Sequence, residues 1–399
     1  MRKRIAIVVA LAIAALAFDA AFATRHGFFD LKVYHGAINF WAHGEGEIYD
    51  FIRPRSTYGF TYPPFAAIAM LPMAVVPWPV AIVIASLLTI AATGLVVWWL
   101  LPRFPVKWYA FGVLMALLIA FEPLRETFLF GQVNMLLVAL VAADLLFGAA
   151  RGRRWAGIGI GLATAVKLTP GLFIVYLLVT KRFRAAFTAM GVAAGVTLAT
   201  AAVAPDMARE YFTSALFETD RVGSLAFVSN QSLQGLVARL SPEDPSKALW
   251  LVFVVGVLVV WIARSRRAVA MGDEAAGLAL TGVVSCLVSP VTWIHHLVWL
   301  IPALLLLVDK GVAATGRDRW RPWGLAAACY AILCSKLVWP FDNHFDTPWG
   351  YLASNAYVLI SLVLLVATPI RSPQDAVADL GVAHGGAARG PEFAGPVRP

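Results

Sequence analysis

The sequence predicts an all-α, polytopic integral membrane protein, and three observations lead there. Of 399 residues, 60% are hydrophobic and 14% charged, against about 45–50% apolar and about 25% charged in soluble domains. Mean hydropathy is +0.76. The apolar residues come in runs long enough to cross about 30 Å of hydrocarbon. Between them lie short basic clusters, Arg2 to Arg4, Arg151 to Arg154, Lys181 to Arg184, Arg264 to Arg267 and Arg317 to Arg321, the pattern of cytoplasmic loops. The clusters account for the net charge of +9 without nucleic acid, whose binding gathers charge on one face. Cys286, Cys329 and Cys334 all fall inside apolar runs, where they read as small core residues and imply no disulfide framework.

In order, the apolar runs are 5–23, 63–77, 79–101, 109–122, 131–149, 156–180, 184–204, 247–263, 273–289, 293–309, 321–339 and 349–369, about twelve spans with a long outer loop after the first. The opening segment imitates a secretory signal peptide, ending A-x-A-like at Ala21 to Ala23. Its apolar run is long enough to span, so an uncleaved anchor is expected. Pro63, Pro64, Pro72 and Pro77 punctuate the second run and Pro123 breaks 109–130, so one of these is re-entrant or bent. The run 156–180 starts and ends beside basic clusters and is interrupted by Lys167-Leu168-Thr169-Pro170. Two cytoplasmic flanks make it a hairpin of two short helices, with Lys167 expected toward the inner side. Later spans alternate regularly, and Asp30 and the pair His295-His296 fall on the same, outer side. Residues 1–370 form one transmembrane domain, and the Gly-, Ala- and Pro-rich remainder from 371 to 399 reads as a disordered cytoplasmic tail.

Ionisable side chains at membrane depth are site residues by default. Asp30, in FFDLKVYHGAINFW, reads as a general base that takes a proton from a hydroxyl, or as a capping Asp in an interfacial loop. Asp19 lies eleven residues earlier and shares a face with Asp30 if one helix continues through both. His295 and His296 read as phosphate or hydroxyl donors or as packed residues; adjacent on a helix they point about 100° apart, which disfavours one metal held by both. Lys167 needs an anionic partner, for which a lipid phosphate is suited, or a position at a hairpin tip. Arg125, Gln132 and Asn134 mark the start of a span, where they bind sugar hydroxyls or neighbouring helices. Phosphate-loop, H-E-x-x-H and G-x-S-x-G motifs are all missing from the sequence, which disfavours a nucleotide motor, a zinc protease and a serine hydrolase.

The ordered motifs FDLKVYHGAINFW, FTYPPFAAIAMLPMAVVP, GQVNMLLVALVAADLL, GIGLATAVKLTPGLFIVYLL, NQSLQGLVARL and SPVTWIHHLVWLIP resemble glycosyltransferase family 87. The resemblance covers about residues 1 to 370 and implies the GT-C membrane fold. It also implies a mannosyltransferase drawing on polyprenyl-phosphate-mannose; no cofactor is expected and no metal-binding residues are assigned, with metal dependence left open. Mannose would pass with inversion to a mannolipid or lipoglycan acceptor, phosphatidylinositol mannoside-like, in an α-(1,2) linkage at the outer face of the cell membrane. Carried onto this chain, Asp30 is the base, and His295 and His296 stabilise the leaving phosphate. Tyr34, Tyr62, Arg125, Gln132, Asn134, Lys167, Asn230, Gln231 and Trp293 are the expected substrate-binding residues. An arabinosyl or glucosyl donor stays open, because no residue reads the sugar. Intramembrane charges and broken helices also mark secondary transporters and lipid flippases.

Overall fold

The structure, a computed structural model, describes residues 1–22, 24, 26–101, 106–217 and 223–371. These residues contain no strand, only two isolated bridges, Ile52 to Gly59 and Asn230 to Trp293. The helices in the first half are α1 (Arg2–Phe22), α2 (Phe29–Ala42), α3 (Pro64–Met70), α4 (Trp78–Trp99), α5 (Lys107–Ala120), α6 (Glu122–Phe130), α7 (Asn134–Ala143), α8 (Ile158–Val166) and α9 (Leu172–Val179). In the second half they are α10 (Phe183–Val203), α11 (Pro205–Glu210), α12 (Leu233–Ala238), α13 (Lys247–Ala270), α14 (Glu274–Val288), α15 (Ile301–Ala313), α16 (Trp320–Cys334), α17 (Pro348–Ser354) and α18 (Ala356–Ala367).

Among the described residues five helices are long and apolar enough to cross a membrane, or up to seven if each of two bent pairs counts as one span. That count does not confirm the expected dozen, and several of the apolar runs fold as short helices. Lys107–Ala120, for example, has 14 residues and reaches only about 21 Å. Both proline-marked runs are affected. The second run yields only the short stretch Pro64–Ala74, and Pro123 starts α6 after a break at Phe121, with α6 meeting Asn134–Ala149 at 114°. The first helix ends at Phe22 and the next starts at Phe29, so the condition for Asp19 and Asp30 to share one helix face is not met. The A-x-A end at Ala23 and the tail beyond Arg371 lie outside the described residues.

The core centres on α14, almost every residue of which is buried. Its small residues let neighbours in close, as they do where membrane helices pack: a Cβ at Gly277 would fall 2.0 Å from the Tyr176 hydroxyl and one at Gly282 would fall 2.8 Å from the Trp299 carbonyl. The long first loop is no solvated excursion. It folds into a second core, with Leu31, Tyr34, Ala37 and Ile38 of α2 packed on Tyr49, Phe60, Tyr62 and Tyr211.

Helices α8 and α9 form the expected hairpin. Its two ends meet the start of α10, where a Cβ at Gly157 would strike the Ala185 carbonyl and the Arg182 N–H donates to Leu177 O at 2.8 Å. Asp144 seals the base by accepting from the N–H groups of Gly157 at 2.8 Å and Ile160 at 2.9 Å, a carboxylate on a helix N-terminus. Lys167 sits at the far tip. It does not stay beside the basic clusters as expected, because two helices of 9 and 8 residues carry it about 13 Å away from them.

Candidate active site

Asp30 lies in the first turn of α2, where the helix end favours negative charge. Phe28 enters this helix in a left-handed conformation and its N–H donates to Leu129 O of α6 at 2.9 Å. Gly131 closes α6 at φ 72°, with the Gln132 N–H returning to Thr127 O at 2.9 Å, a Schellman-type turn. Glycine is required there twice over, since a Cβ would also lie 2.5 Å from Leu31 Cβ. The turn sets Gln132 against Asp30, and Gln132 Nε2 donates to Asp30 Oδ2 at 2.6 Å.

The network continues in one direction. Gln132 Oε1 accepts from the Tyr62 hydroxyl at 2.9 Å, which orients the amide so that its NH₂ faces Asp30. The Tyr62 oxygen accepts in turn from the Tyr34 hydroxyl at 2.9 Å and from Lys167 Nζ at 3.3 Å. Lys167 Nζ lies 3.0 Å from Asn134 Oδ1 and 3.0 Å from His296 Nε2. Three hydrogen bonds and the 3.0 Å approach of Lys167 Nζ to His296 Nε2 thus lead from the carboxylate of Asp30 to the imidazole of His296. The linking residues Gln132, Tyr62 and Asn134 are buried, whereas Asp30, Lys167 and His296 keep partial access.

The Trp293 backbone N–H donates to His296 Nδ1 at 3.2 Å, so a neutral ring carries its proton on Nε2. That proton and the Lys167 ammonium then point at each other. Two donors side by side at 3.0 Å suit one anionic oxygen that lies beside both and accepts from each. A small void of about 10 Å³ lies behind His296, lined by Thr169, Ser285, Cys286 and Thr292 among others, about the room of a single water.

Asp30 is partly accessible, yet protein crowds it on most sides. That loss of water pushes its carboxyl up to about 6, against the pull of the Gln132 hydrogen bond and the charges of Lys167, His26 and Arg53. Burial likewise holds the Tyr34 and Tyr62 phenols well above their usual range, so both stay neutral donors. Among the described residues no three His, Cys, Asp or Glu side chains gather as metal ligands.

The structure therefore joins Asp30, Tyr34, Tyr62, Gln132, Asn134, Lys167 and His296. The other expected site residues sit apart. Arg125 pairs with Asp19 of α1 at 3.0 Å. The His295 ring is buried beside Phe130 and its carbonyl is held by Thr127 at 2.8 Å and Asn134 at 3.0 Å, so it anchors the segment that presents His296. Trp293 contributes its backbone N–H. Asn230 accepts from Thr292 N at 2.9 Å, while Gln231 bridges Val228 O and Ser354 O at 2.6 and 2.8 Å; both amides brace the segment 223–246. Sequence reasoning missed His26, whose Nε2 lies 2.6 Å from Glu126 Oε2 and whose ring stacks on Phe130 at 3.9 Å. It also missed Arg53, 4.0 Å over the Phe29 ring. The signal for His26 was its place four residues before Asp30; Arg53 left none.

A family model of glycosyltransferase family 87 matches residues 60–290. That stretch holds Tyr62, Gln132, Asn134 and Lys167 and stops short of the histidine pair. The chain is 34% identical over 332 residues to a polyprenol-phosphate-mannose-dependent alpha-(1-2)-phosphatidylinositol mannoside mannosyltransferase of Mycobacterium tuberculosis, covering 77% of this chain and 75% of that one. It is 31% identical over 362 residues to a polyprenol-phosphate-mannose-dependent alpha-(1-2)-phosphatidylinositol pentamannoside mannosyltransferase of Mycolicibacterium smegmatis, covering 85% and 84%. No solved structure matches the chain.

Proposed function

The chain belongs to glycosyltransferase family 87, and on that premise we propose that it moves mannose from polyprenyl-phosphate-mannose to a phosphatidylinositol-mannoside-like glycolipid at the outer face of the cell membrane. The relatives' printed activities support the donor, the α-(1,2) linkage and the acceptor class. They differ in the mannoside they extend, so the number of sugars already on the acceptor is left free. The outer face is supported by the basic clusters, which gather at the end of the bundle away from the Lys167 tip.

In the reaction, an acceptor hydroxyl attacks C1 of the donor mannose from the face opposite the phosphate. Asp30 takes the hydroxyl proton as the new C–O bond forms. The bond between C1 and the phosphate oxygen breaks with its electron pair, leaving polyprenyl phosphate and inverting a β-linked donor to an α product. Lys167 and His296 Nε2–H donate to the departing phosphate, where charge develops. Asn134 holds Lys167, and Gln132 holds Asp30.

The observation that carries this reading is the continuous path from a partly accessible carboxylate to two facing cationic or N–H donors. The test is transfer of radiolabelled mannose from polyprenyl-phosphate-mannose into glycolipid by the purified protein, with Asp30→Asn alongside. Label should appear with the wild type and be lost with Asp30→Asn while donor binding persists. Label carried instead from a polyprenyl-phosphate arabinose or glucose donor would overturn the choice of sugar and leave the chemistry standing.

A further inference from the structure

Where α15 ends and α16 begins, at the end of the bundle away from Lys167, the two helices enclose an open groove of about 600 Å³. It is lined by Gly311, Val312, Arg319, Trp320, Trp323 and Gly324. One wall is tight: a Cβ at Gly311 would fall 2.5 Å from the Trp323 ring. The floor is open, since a Cβ at Gly324 would meet nothing within 4 Å. Trp320 is 62% exposed, and the Arg319 guanidinium lies 4.7 Å over its ring. Arg319 lines the groove, and Lys310, Arg317 and Arg321, close to its lining residues in the chain, are exposed as it is. Asp318 stands among them, whereas the nearby Asp309 is buried and bound to Arg371 at 2.9 Å.

We propose that this groove holds one anionic phospholipid from the leaflet on the side of the basic clusters. The chemistry is that of an amphiphile. Arginines on the rim match a phosphodiester, and the indoles with Val312 offer an apolar wall for the upper acyl chains. A free anion would leave that wall uncovered, and a zwitterionic lipid would leave the rim charge unanswered. The site is separate from the reaction centre: some fifteen residues of helical rise part Gly311 from His296, more than about 20 Å. It does not depend on the functional reading above.

Native mass spectrometry of the full chain, stripped of lipid and then exposed to 4:1 phosphatidylcholine–phosphatidylglycerol vesicles, tests it. The wild type should retain one phosphatidylglycerol in preference to phosphatidylcholine. Replacing Arg317, Arg319 and Arg321 together by Gln should lower retention by about fivefold for each charge. Gly324→Phe should fill the groove and lose the lipid with every arginine in place, whereas Gly324→Ala should keep it. Equal retention of both lipids, retention by Gly324→Phe, or displacement by millimolar inorganic phosphate would each overturn the proposal. If Gly324→Phe does not fold, the exposed arginine triple decides alone.

Discussion

On the side of the basic clusters, two buried carboxylates meet opposite charges. Arg182 pairs with one oxygen of Glu274, whose other oxygen accepts from Tyr176 at 2.7 Å, and Arg371 pairs with Asp309 at 2.9 Å. In the site, by contrast, Asp30 is held by a neutral amide and Lys167 by a phenol, an amide and an imidazole. Among the described residues neither has an ion-pair partner. A matched pair is a finished interaction: both charges are satisfied, and removing one partner strands the other. A charge held by neutral dipoles is oriented but not neutralised, so it remains available to a proton or a phosphate. Neutral partners alone do not make a charge reactive, since buried Asp144 is held by backbone N–H groups and buried Arg239 by the Asn355 amide and carbonyls; partial access sets Asp30 and Lys167 apart, at some expense in stability, as functional sites commonly do.

Four substitutions, one of them read out in two ways, test the contrast, the largest effect first. Asp30→Asn should lower mannose transfer by about 10²–10⁴-fold, the worth of a general base, with donor binding intact by equilibrium capture on labelled lipid. Lys167→Met should cost about 10²–10³-fold in kcat, the scale of a lost donor to developing negative charge, measured under donor saturation. Arg182→Ala should do the reverse. It should destabilise the protein by about 3 kcal/mol through the stranded Glu274, read as a lower unfolding midpoint in detergent, with turnover per folded molecule unchanged. A loss of turnover there would erase the distinction between the two ends.

Gln132→Leu should lower kcat by about tenfold at neutral pH, since it removes a charge-assisted hydrogen bond. It should also move the acid limb of the pH–rate profile, expected near 6 from the carboxyl of Asp30, to higher pH, because Gln132 pulls that carboxyl downward. A purely structural role for Gln132 would leave the limb in place. The smallest effect is on stability. Asp30 is raised from an ordinary 3.8 to about 6, so its folded state favours the neutral acid. The associated stability is full below 3.8 and is lost as pH rises through about 6. Asp30→Asn should therefore unfold later than wild type at pH 7.5 by about 1 kcal/mol, after discounting for solvent access, and the gap should close toward pH 4.

Much of the site was legible because a polar residue in an apolar run stands out. Lys167 and His296 announced themselves that way, and so did Gln132 and Asn134 in GQVN, while Asp30 stood out by its motif in the loop after the first run. The same signal could not sort them. Arg125, Asn230 and Gln231 are just as conspicuous in the sequence, yet one is bound to Asp19 and the other two to backbone. His26 and Arg53 were inconspicuous because they lie in a polar loop, where charge is ordinary.

The sequence by itself determined the helical class, the membrane runs, the basic clusters and the hairpin around Lys167, because hydrophobic patterning and charge act locally along the chain. Only the tertiary structure decided how many runs are long enough to cross, since proline breaks and bends depend on what packs beside them. It alone brought Lys167 to Tyr62 and Gln132 to Asp30. Those contacts span 105 and 102 residues, and no local pattern encodes a pairing made by the close approach of Gly131 to Leu31 and by the reach of a hairpin tip.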